Sequence, residues 1–578
     1  MSRPKALAAR ATVLLAAVLS SHSLPAQAPR TATEPLPLKY VGPPTVAEIT
    51  AGDLMTRVYK FADDSMMGRT VGTMYNDMGT AYIESELRRL GLQPAGESGT
   101  FFQKLPLVNR MLDSASTITI DTLTFRAFED FTAVSNDLTL DLSALPMAYL
   151  GASTDTIDIL PVDSVRGKLA IVRLGSLTAG TNPQAFMQSA GYQRMVESIE
   201  AARAIVLVGG PQLSPGAIRT ASNPAGTLLL SPEGSTTITV TTRLAEALLD
   251  TTIADARRGQ ALSPVKLDIR MADTQKPGRN VVAVLPGTDP ALRGQYVAIG
   301  AHSDHVPPVR TAVDHDSLRA HLRVVRPQGA DSDDRSASAE EAARIQAMRD
   351  SARAVIPARV DSIRNGADDD ASGSMTVLEI AEAFALGAVK PKRSVLFVWH
   401  TGEEAGLWGA AHFTNSPTVP RDSIIAQLNM DMVGRGGAAD VTGESKEGGL
   451  LRGGPGYVQL IGSRRLSTEL GDIIEAVNRE KELGLTFDYS MDANGHPQNI
   501  YCRSDHYEYA KYGIPVAFIT TGGHADYHQV TDEPQYLDYP HMAQVARLVF
   551  ETTLRLGNLD HRVVVDQPRP DPKGRCVQ

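Results

Sequence analysis

The spacing of hydrophobic residues changes along the chain and divides it into parts of different character. Between residues 45 and 114, Tyr82, Ile83 and Leu87 recur at helical intervals, which predicts an N-terminal helical segment. Between residues 115 and 275, short β-rich runs such as GKLAIVRLG and TTITVTT lie between clusters of Gly, Pro and Ser. This middle part is predicted to be a separate, smaller domain of strands with a few helices.

From residue 276 to residue 558, apolar strands alternate with helical patterns. Runs such as NVVAVLPG, QYVAIGAH, SVLFVWHT and PVAFITT are apolar at nearly every position, which is typical of strands buried on both faces of a sheet. The predicted fold class is α/β, with a mixed, mostly parallel twisted sheet flanked by helices. Residues 559–578 are Pro-rich and charged, and they predict a loosely ordered C-terminal tail.

One charge-rich segment interrupts this alternation. Residues 307–364 contain ten Arg and nine Asp or Glu residues, and they include the helical pattern SASAEEAARIQAMRDSARAV. Such a run is typical of a solvated helical excursion. A second interpretation is a lid, because chemically distinctive residues flank the segment on both sides.

The first 28 residues have the pattern of a secretory signal peptide. Positively charged residues precede the short apolar run Ala11–Leu19, and residues 26–28 (AQA) fit a small-residue cleavage site. The apolar run is too short to span a bilayer, and no later run is long and apolar enough. Because no cysteine is present there for a lipid anchor, we expect a secreted or periplasmic protein without a membrane span.

Composition narrows the class of protein further. The chain has 578 residues, of which 42% are hydrophobic and 21% charged, which predicts two or three globular domains. A net charge of −10 without a basic stripe argues against nucleic-acid binding. Cys502 and Cys576 are the two cysteines of the sequence, so zinc sites built on cysteine clusters are excluded. A disulfide between them and two free thiols both remain open.

Imidazoles and carboxylates follow several of the predicted strands. In an open α/β sheet the ligand crevice lies outside the carboxyl ends of the strands, so these groups are expected to meet at one edge. Taken singly, each has an ordinary explanation, such as helix capping for three consecutive aspartates. Together they predict a metal centre of His and carboxylate ligands, which suits zinc, or else manganese or cobalt. The segments are HSDH (302–305), NGADDDASG (365–373), HTGEEAG (400–406), NMDMVGR (429–435) and HADYHQVTDEP (524–534).

In this order the segments resemble the dinuclear zinc aminopeptidase family. Its superfamily also includes glutamate carboxypeptidase, glutaminyl cyclase and the transferrin receptor. The resemblance covers most of residues 276–558, and MMGRTVGTMYNDMGTAYIESELRRLGLQPAG resembles the usual N-terminal helical segment. The runs GKLAIVRLG and ARAIVLVGG resemble the protease-associated domain that is often inserted in these enzymes.

The resemblance implies two Zn²⁺ ions per chain and a set of five ligands. Asp369 would bridge the two ions, and the peptide bond that follows it would be cis. His302 and Asp431 would complete one metal site. Glu404 and His528 would complete the other.

The resemblance also implies roles for residues that do not bind metal. Glu403 would be the general base, and Asp304 would orient the imidazole of His302. The hydroxyl of Tyr501, in NIYCRSDHY, would stabilise the oxyanion that develops during hydrolysis.

The implied function is that of an exported dinuclear zinc exopeptidase acting on peptides. The family pattern favours an aminopeptidase, in which a metal-bridging hydroxide attacks the peptide and a glutamate acts as general base. One alternative is a carboxypeptidase of the glutamate-carboxypeptidase type, which needs a cation such as Arg435 or Arg503 at the site, or a glutaminyl cyclase. A non-catalytic, receptor-like protein is a further alternative, and it predicts lost ligands, whereas all five positions are filled.

Overall fold

The fold was examined in a computed structural model. It describes residues 36–135, 137–178, 181, 186–187, 189–209, 218, 227–230, 236–333, 335–355 and 357–578. The predicted signal peptide, residues 1–28, lies outside the described residues. Within the described ranges, no helix combines the length and the apolar sequence that crossing a membrane requires.

Helices and strands occur in every part of the described chain. The helices are α1 (Ala51–Phe61), α2 (Met74–Arg89), α3 (Val162–Val165), α4 (Ala190–Glu200), α5 (Thr242–Leu249), α6 (His315–Val325), α7 (Ala339–Arg353), α8 (Gly373–Leu386), α9 (Trp408–Asn415), α10 (Thr468–Glu480), α11 (His506–Ala510) and α12 (Tyr539–Asn558). The strands are β1 (Gln93–Pro94), β2 (Phe102–Lys104), β3 (Leu107–Leu112), β4 (Thr117–Ile120), β5 (Leu123–Arg126), β6 (Phe131–Val134), β7 (Thr139–Leu145), β8 (Met147–Ala152), β9 (Leu169–Arg173), β10 (Ala204–Val208), β11 (Thr227–Leu230), β12 (Thr236–Val240), β13 (Val265–Gln275), β14 (Arg279–Leu285), β15 (Tyr296–His302), β16 (Val313–Asp314), β17 (Val360–Asp361), β18 (Ser394–His400), β19 (Ile424–Met430), β20 (Val441–Glu444), β21 (Leu450–Arg452), β22 (Tyr457–Ile461), β23 (Thr486–Asp488) and β24 (Val516–Thr520).

The largest sheet has the order β1-β14-β18-β15-β19-β24-β22-β23, with β2 also paired to β14. Its central strands β18, β15, β19 and β24 are parallel, whereas β14 and β22 run antiparallel to their inner neighbours. Every residue of β18 is buried: Phe397 and Trp399 belong to the core beneath α8 and α12, and Leu396 and Val398 to the core on the other face. The predicted α/β fold with a mixed, mostly parallel sheet is therefore confirmed.

The middle part of the chain forms two further sheets. Their orders are β6-β12-β10-β9-β8 and β11-β3-β13-β4-β5, with β7 also paired to β13. They share a hydrophobic core that includes Phe131, Ile171 and Leu267. Strand β3 pairs with β13 although it begins at Leu107, before the boundary predicted at residue 115. The assignment of residues 115–275 to a protease-associated domain stays a prediction.

The charge-rich segment 307–364 forms two helices closed by a short strand pair. Strands β16 and β17 pair antiparallel near its two ends. Helix α7, which is described in full, has no buried residue, as expected of a solvated excursion. Helix α6, in contrast, buries His315, Ala320, Leu322 and Val325. The segment is therefore solvated on one side and packed against the protein on the other.

The C-terminal tail is attached to the protein at defined points. Cys502 and Cys576 form a disulfide, which resolves the alternative that the sequence left open. Gln578 is buried, and its side chain donates to the carbonyl oxygen of Met491 and accepts from the N–H of Tyr501, 2.9 Å away. The prediction of a loosely ordered tail is wrong, because these tertiary bonds hold a segment that lacks regular structure.

We expect the double substitution Cys502→Ser/Cys576→Ser to lower the thermal unfolding midpoint. The bond joins positions 74 residues apart, and a cross-link of that span stabilises by up to about 4 kcal/mol through the entropy of the unfolded chain. Differential scanning calorimetry checks this, and a reductant should lower the midpoint of the parent chain to that of the double variant. An unchanged midpoint in the double variant would contradict the expectation.

Candidate metal centre

The residues singled out in the sequence come together at the carboxyl ends of the parallel strands. His302 is the last residue of β15, and Glu403 and Glu404 lie in the turn after β18. Asp431 directly follows β19, and His528 lies in the loop after β24. The parallel register of these strands places their ends side by side, so residues more than 200 positions apart share one site.

Asp369 lies at the centre of the cluster, in the turn that leads into α8. Its Oδ1 is 3.1 Å from Nε2 of His302, and its Oδ2 is 2.9 Å from Nε2 of His528. The same His302 nitrogen is 3.6 Å from Oδ1 of Asp431. The two oxygens of one carboxylate therefore face two different groups of donors.

The second group includes a histidine to which the sequence assigned no role. His528, Glu404, Asp369 and His305 offer nitrogen and oxygen atoms that all lie within 4.8 Å of one another. Nδ1 of His305 is 2.8 Å from Oε1 of Glu404. A Cβ on Gly366, whose φ is +55°, would lie 2.5 Å from the His305 ring, so the glycine makes room for the imidazole. The signal available in the sequence was the second histidine of HSDH.

The chemistry of these donors fits divalent metal ions. Both ring nitrogens of His305, Oδ2 of Asp369 and Oε1 of Glu404 are buried without a well-directed hydrogen bond within the described chain, and their close polar neighbours are other members of the same donor group. Such atoms are costly to bury unless something replaces the lost water. Imidazole nitrogens and carboxylate oxygens are the donors that zinc takes when cysteine is absent.

The protonation of the site reflects a surplus of negative charge. Desolvation raises the pKa of Glu403 well above its usual range against the opposing effect of His302, and repulsion from Asp431 and Glu404 acts in the same direction as desolvation. Burial lowers the pKa of His528, but hydrogen bonds to Asp369 and Glu404 outweigh it and raise this pKa to about 10. Both shifts indicate a local field that favours bound cations.

The three consecutive aspartates have different partners. Oδ1 of Asp368 accepts from the N–H of Gly434 at 2.7 Å. Oδ1 of Asp370 accepts from the N–H of Gly373 at 2.9 Å, at the start of α8. Asp369 alone of the three belongs to the groups of potential metal donors. The peptide bond between Asp369 and Asp370 is cis, as the family resemblance implied.

Asp304 contacts both His302 and Glu403. Nδ1 of His302 lies 3.1 Å from the backbone oxygen of Asp304 and 3.8 Å from its carboxylate. The carboxylate accepts from the N–H of Glu403 at 3.2 Å. Asp304 therefore orients the His302 ring mainly through its carbonyl oxygen, and its side chain fixes the turn that carries Glu403.

Tyr501 lies away from the donor cluster. Its ring is buried against His506 and Tyr507, and the guanidinium of Arg465 lies 4.7 Å from the ring centre. Among the described residues that line the cleft beside Asp369, Glu403 and Asp431, it is Tyr527 rather than Tyr501 that contributes a tyrosine ring. Tyr501 lies outside the lining of this cleft, and the oxyanion role that the family resemblance implies for it stays a prediction.

Arg69, in the N-terminal helical segment, connects two of the loops that carry the donors. Its side chain is fully buried. The guanidinium donates to the carbonyl oxygens of Ser303 at 3.2 Å, Asn365 at 2.8 Å and Gly366 at 3.0 Å, and also to that of Phe61 at 3.0 Å. One cation thus fixes the chain next to His302 relative to the chain that precedes Asp369.

We expect Arg69→Lys to destabilise the protein by about 2–3 kcal/mol, because an ammonium group cannot reach four carbonyls in this planar arrangement. The midpoint of thermal unfolding checks this. The matched control is Arg88→Lys, since Arg88 is exposed on α2 and bonds Glu84 one turn away. A similar fall in both variants would contradict a specific bracing role for Arg69.

Known proteins resemble the part of the chain that carries this site. Residues 280–553 match Peptidase family M28. Leucine aminopeptidase 1 of Aspergillus oryzae is 28% identical over 191 residues, which are 32% of this chain and 44% of that protein. A probable leucine aminopeptidase of Arthroderma benhamiae is 27% identical over 228 residues, covering 35% of this chain and 56% of that protein. The chain thus spans about half the length of the curated relatives it matches.

Solved structures were compared as well. An aminopeptidase from Aneurinibacillus sp. strain AM-1 aligns with a TM-score of 0.44 and 15% identity, over 90% of this chain and 97% of that one. A zinc aminopeptidase from Bacillus subtilis aligns with a TM-score of 0.42 and 15% identity, over 88% and 95%. The match to Peptidase family M28 spans strands β15, β18, β19 and β24 and all the loops that carry the clustered donors. Over residues 280–553, just under half of its length, the chain is similar to peptidase family M28.

Proposed function

We propose that this chain is an exported zinc aminopeptidase that binds two metal ions. The observation that carries the proposal is the Asp369 carboxylate, whose two oxygens face two separate groups of donors. The match of residues 280–553 to Peptidase family M28 and similarity to proteins named leucine aminopeptidases support it. Export rests on the signal-like sequence of residues 1–28.

Each metal ion is assigned to one group of donors. His302, Asp369 and Asp431 would hold one ion, and Asp369 would be shared with the second. Glu404, His528 and His305 would complete that second site. When bound, zinc makes a water molecule acidic enough to attack at neutral pH and polarises the carbonyl of the peptide.

The neighbouring residues would hold the reacting groups and move protons. Glu403 is partly exposed to the cleft, and its backbone N–H is fixed by Asp304, so its carboxylate is free to take a proton and deliver it to the leaving amine. The hydroxyl of Ser504 donates to Oδ2 of Asp431 at 2.7 Å, which leaves Oδ1 directed towards His302. Glu403 would act on the substrate, and Ser504 would orient the metal ligand Asp431. Neither residue would bind metal itself.

The cleft next to the donors suits an apolar substrate residue. It is a depression that is partly open to solvent. Met432, Met491, Ile500 and Phe518 contribute to its lining, close to Asp431 and Glu403. Burial of an aliphatic side chain there would add about 1.5–3 kcal/mol to binding. A peptide with an apolar N-terminal residue is therefore the proposed substrate.

The alternatives within the superfamily find less support. A carboxypeptidase needs a cation available to a carboxylate, but Arg435 is buried and bonds Asp526 at 3.0 Å and Asp440 at 3.1 Å, and Arg503 is paired with Asp331. A receptor-like protein would not need Asp369 to be shared between two donor groups, whereas an aminopeptidase with two metal ions would.

Free and blocked peptides separate these functions. We expect the zinc-loaded protein to hydrolyse leucine amides and leucyl peptides with a free amine, and to cleave the N-acetylated forms at least 100-fold more slowly. Chromatography of the products measures both rates. Equal cleavage of blocked substrates, or release of C-terminal residues first, would reject the aminopeptidase proposal.

Glu403→Gln and Asp369→Asn should separate the general base from the shared ligand. Glu403→Gln should retain close to two zinc ions per chain while kcat falls by about 10²–10⁴-fold, because the proton acceptor is lost. Asp369→Asn should lose metal and activity together. Zinc content by mass spectrometry and kcat are measured on the same samples.

His305→Gln provides the matched comparison within the second donor group. If His305 is a ligand, this variant should bind one of its two ions more weakly in a zinc titration, with the other unchanged. Loss of metal from Glu403→Gln, or full zinc affinity in Asp369→Asn, would show that the roles are assigned wrongly.

A further inference from the structure

The charge-rich segment 307–364 supplies part of the wall of the cleft. Gln328 and Asp331, in the turn between α6 and α7, line the cleft together with Glu403, Asp431 and His528. Asp331 is therefore the one acidic residue of this segment, among those described, that faces the candidate substrate site.

The position of this wall relative to the metal donors is fixed by close contact. The N–H of Ala330 donates to the carbonyl oxygen of Tyr527 at 3.1 Å, one residue before His528. Gly329 has a φ of +57°, and a Cβ there would lie 2.5 Å from the same oxygen. The turn can lie directly on the backbone beside His528 because residue 329 is glycine.

Ion pairs hold the rest of the segment on the same loop. Arg359 forms a two-point ion pair with Glu533, and His315 lies 3.5 Å from that carboxylate. Nε of Arg319 is 3.3 Å from Oδ1 of Asp526. These contacts lie on either side of His528 in the sequence. They attach the segment to the loop that carries this donor.

Asp331 reaches across the cleft to the opposite wall. Its two carboxylate oxygens lie 3.0 and 3.2 Å from the two terminal nitrogens of Arg503. Arg503 precedes Ser504, which bonds Asp431, and its guanidinium is 3.5 Å from the hydroxyl of Tyr527. Both partners of the pair are partly exposed, at 38% for the Arg503 side chain and 35% for that of Asp331.

The planar fork of an arginine matches a carboxylate in two-point geometry. A guanidinium this close to the donor cluster would therefore attract a substrate carboxylate if its own donors were free. Asp331 already occupies them in that geometry. A substrate carboxylate would have to displace Asp331 and would also meet its negative charge.

We propose that Asp331 is a specificity-determining residue, which holds Arg503 and so makes the cleft select uncharged over acidic substrate residues. The inference rests on the proposed peptidase function and deepens it. The substrate class is that of peptides with a neutral residue next to the Asp331–Arg503 wall. Arg503 is the latent carboxylate site that Asp331 covers.

The test uses Asp331→Asn in the full-length, zinc-loaded protein. The substrates are matched pairs that differ by one charge: Glu-Leu amide with Gln-Leu amide, and Leu-Glu amide with Leu-Gln amide. We expect the acidic-to-neutral ratio of kcat/KM to rise about tenfold for the pair whose varied residue lies at this wall. In the double variant Asp331→Asn/Arg503→Gln the ratio should return to that of the parent.

Asp333→Asn is the matched control. Asp333 is exposed in the same segment, carries the same charge and does not belong to the cleft lining. Its acidic-to-neutral ratio should equal that of the parent chain. Zinc content and thermal midpoint, measured for every variant, show whether the fold and metal sites are intact.

Three results would overturn the inference: an unchanged ratio in Asp331→Asn for both pairs, an equal rise in Asp333→Asn, or a rise that persists without Arg503. If the parent chain cleaves none of the peptides, the proposed function fails instead. The role of Asp331 is then tested by calorimetric titration with the same peptide pairs. The acidic-to-neutral ratio of affinities should rise in Asp331→Asn and return to the parent value in the double variant.

Discussion

The site is built on buried carboxylates that repel one another. Asp304, Asp368, Asp369, Asp370, Asp431 and Asp532 are all buried at one edge of the sheet. Repulsion between such groups is strong where water is excluded, so each one needs a compensating partner. Backbone N–H groups serve Asp368, Asp370 and Asp532. The carboxylate of Asp369 is left to face imidazoles and other carboxylates, and divalent cations bound there would offset this repulsion.

The compensation comes from distant parts of the chain, so the site depends on the whole fold. Asp532 accepts from the N–H groups of both Asp368 and Asp369, and burial raises the pKa of Asp532 to about 6. Arg69 donates to the carbonyl oxygen of Ser303, next to His302, and to that of Asn365, in the segment that leads to Asp369. Metal affinity in such an arrangement includes the stability of these supports, because a preformed site exists only in the folded chain.

Sequence reasoning predicted what local pattern and topology determine. Apolar runs predicted the parallel strands, and the ends of those strands placed Glu404 and Asp431 at one edge of the sheet. Asp369, which precedes α8, was singled out by the family resemblance. His305 could not be assigned, because only the fold shows that Gly366 leaves space for its ring beside Glu404. The orientation of the Tyr501 ring could not be predicted for the same reason, since tertiary contacts decide which way a loop residue points. Likewise, charge content predicted the exposure of α7 but not the ion pairs with Glu533 and Asp526.

The way in which residues 307–364 are attached has a consequence for how such an enzyme can diversify. The segment leaves the chain between His302 and Asp369 and contributes neither a donor nor the base, yet it forms one side of the cleft. The residues of this segment that face the cleft can therefore vary without altering the clustered donors or Glu403. In the proposed enzyme, one wall of the cleft could thus change its substrate preference separately from the groups that would hold metal.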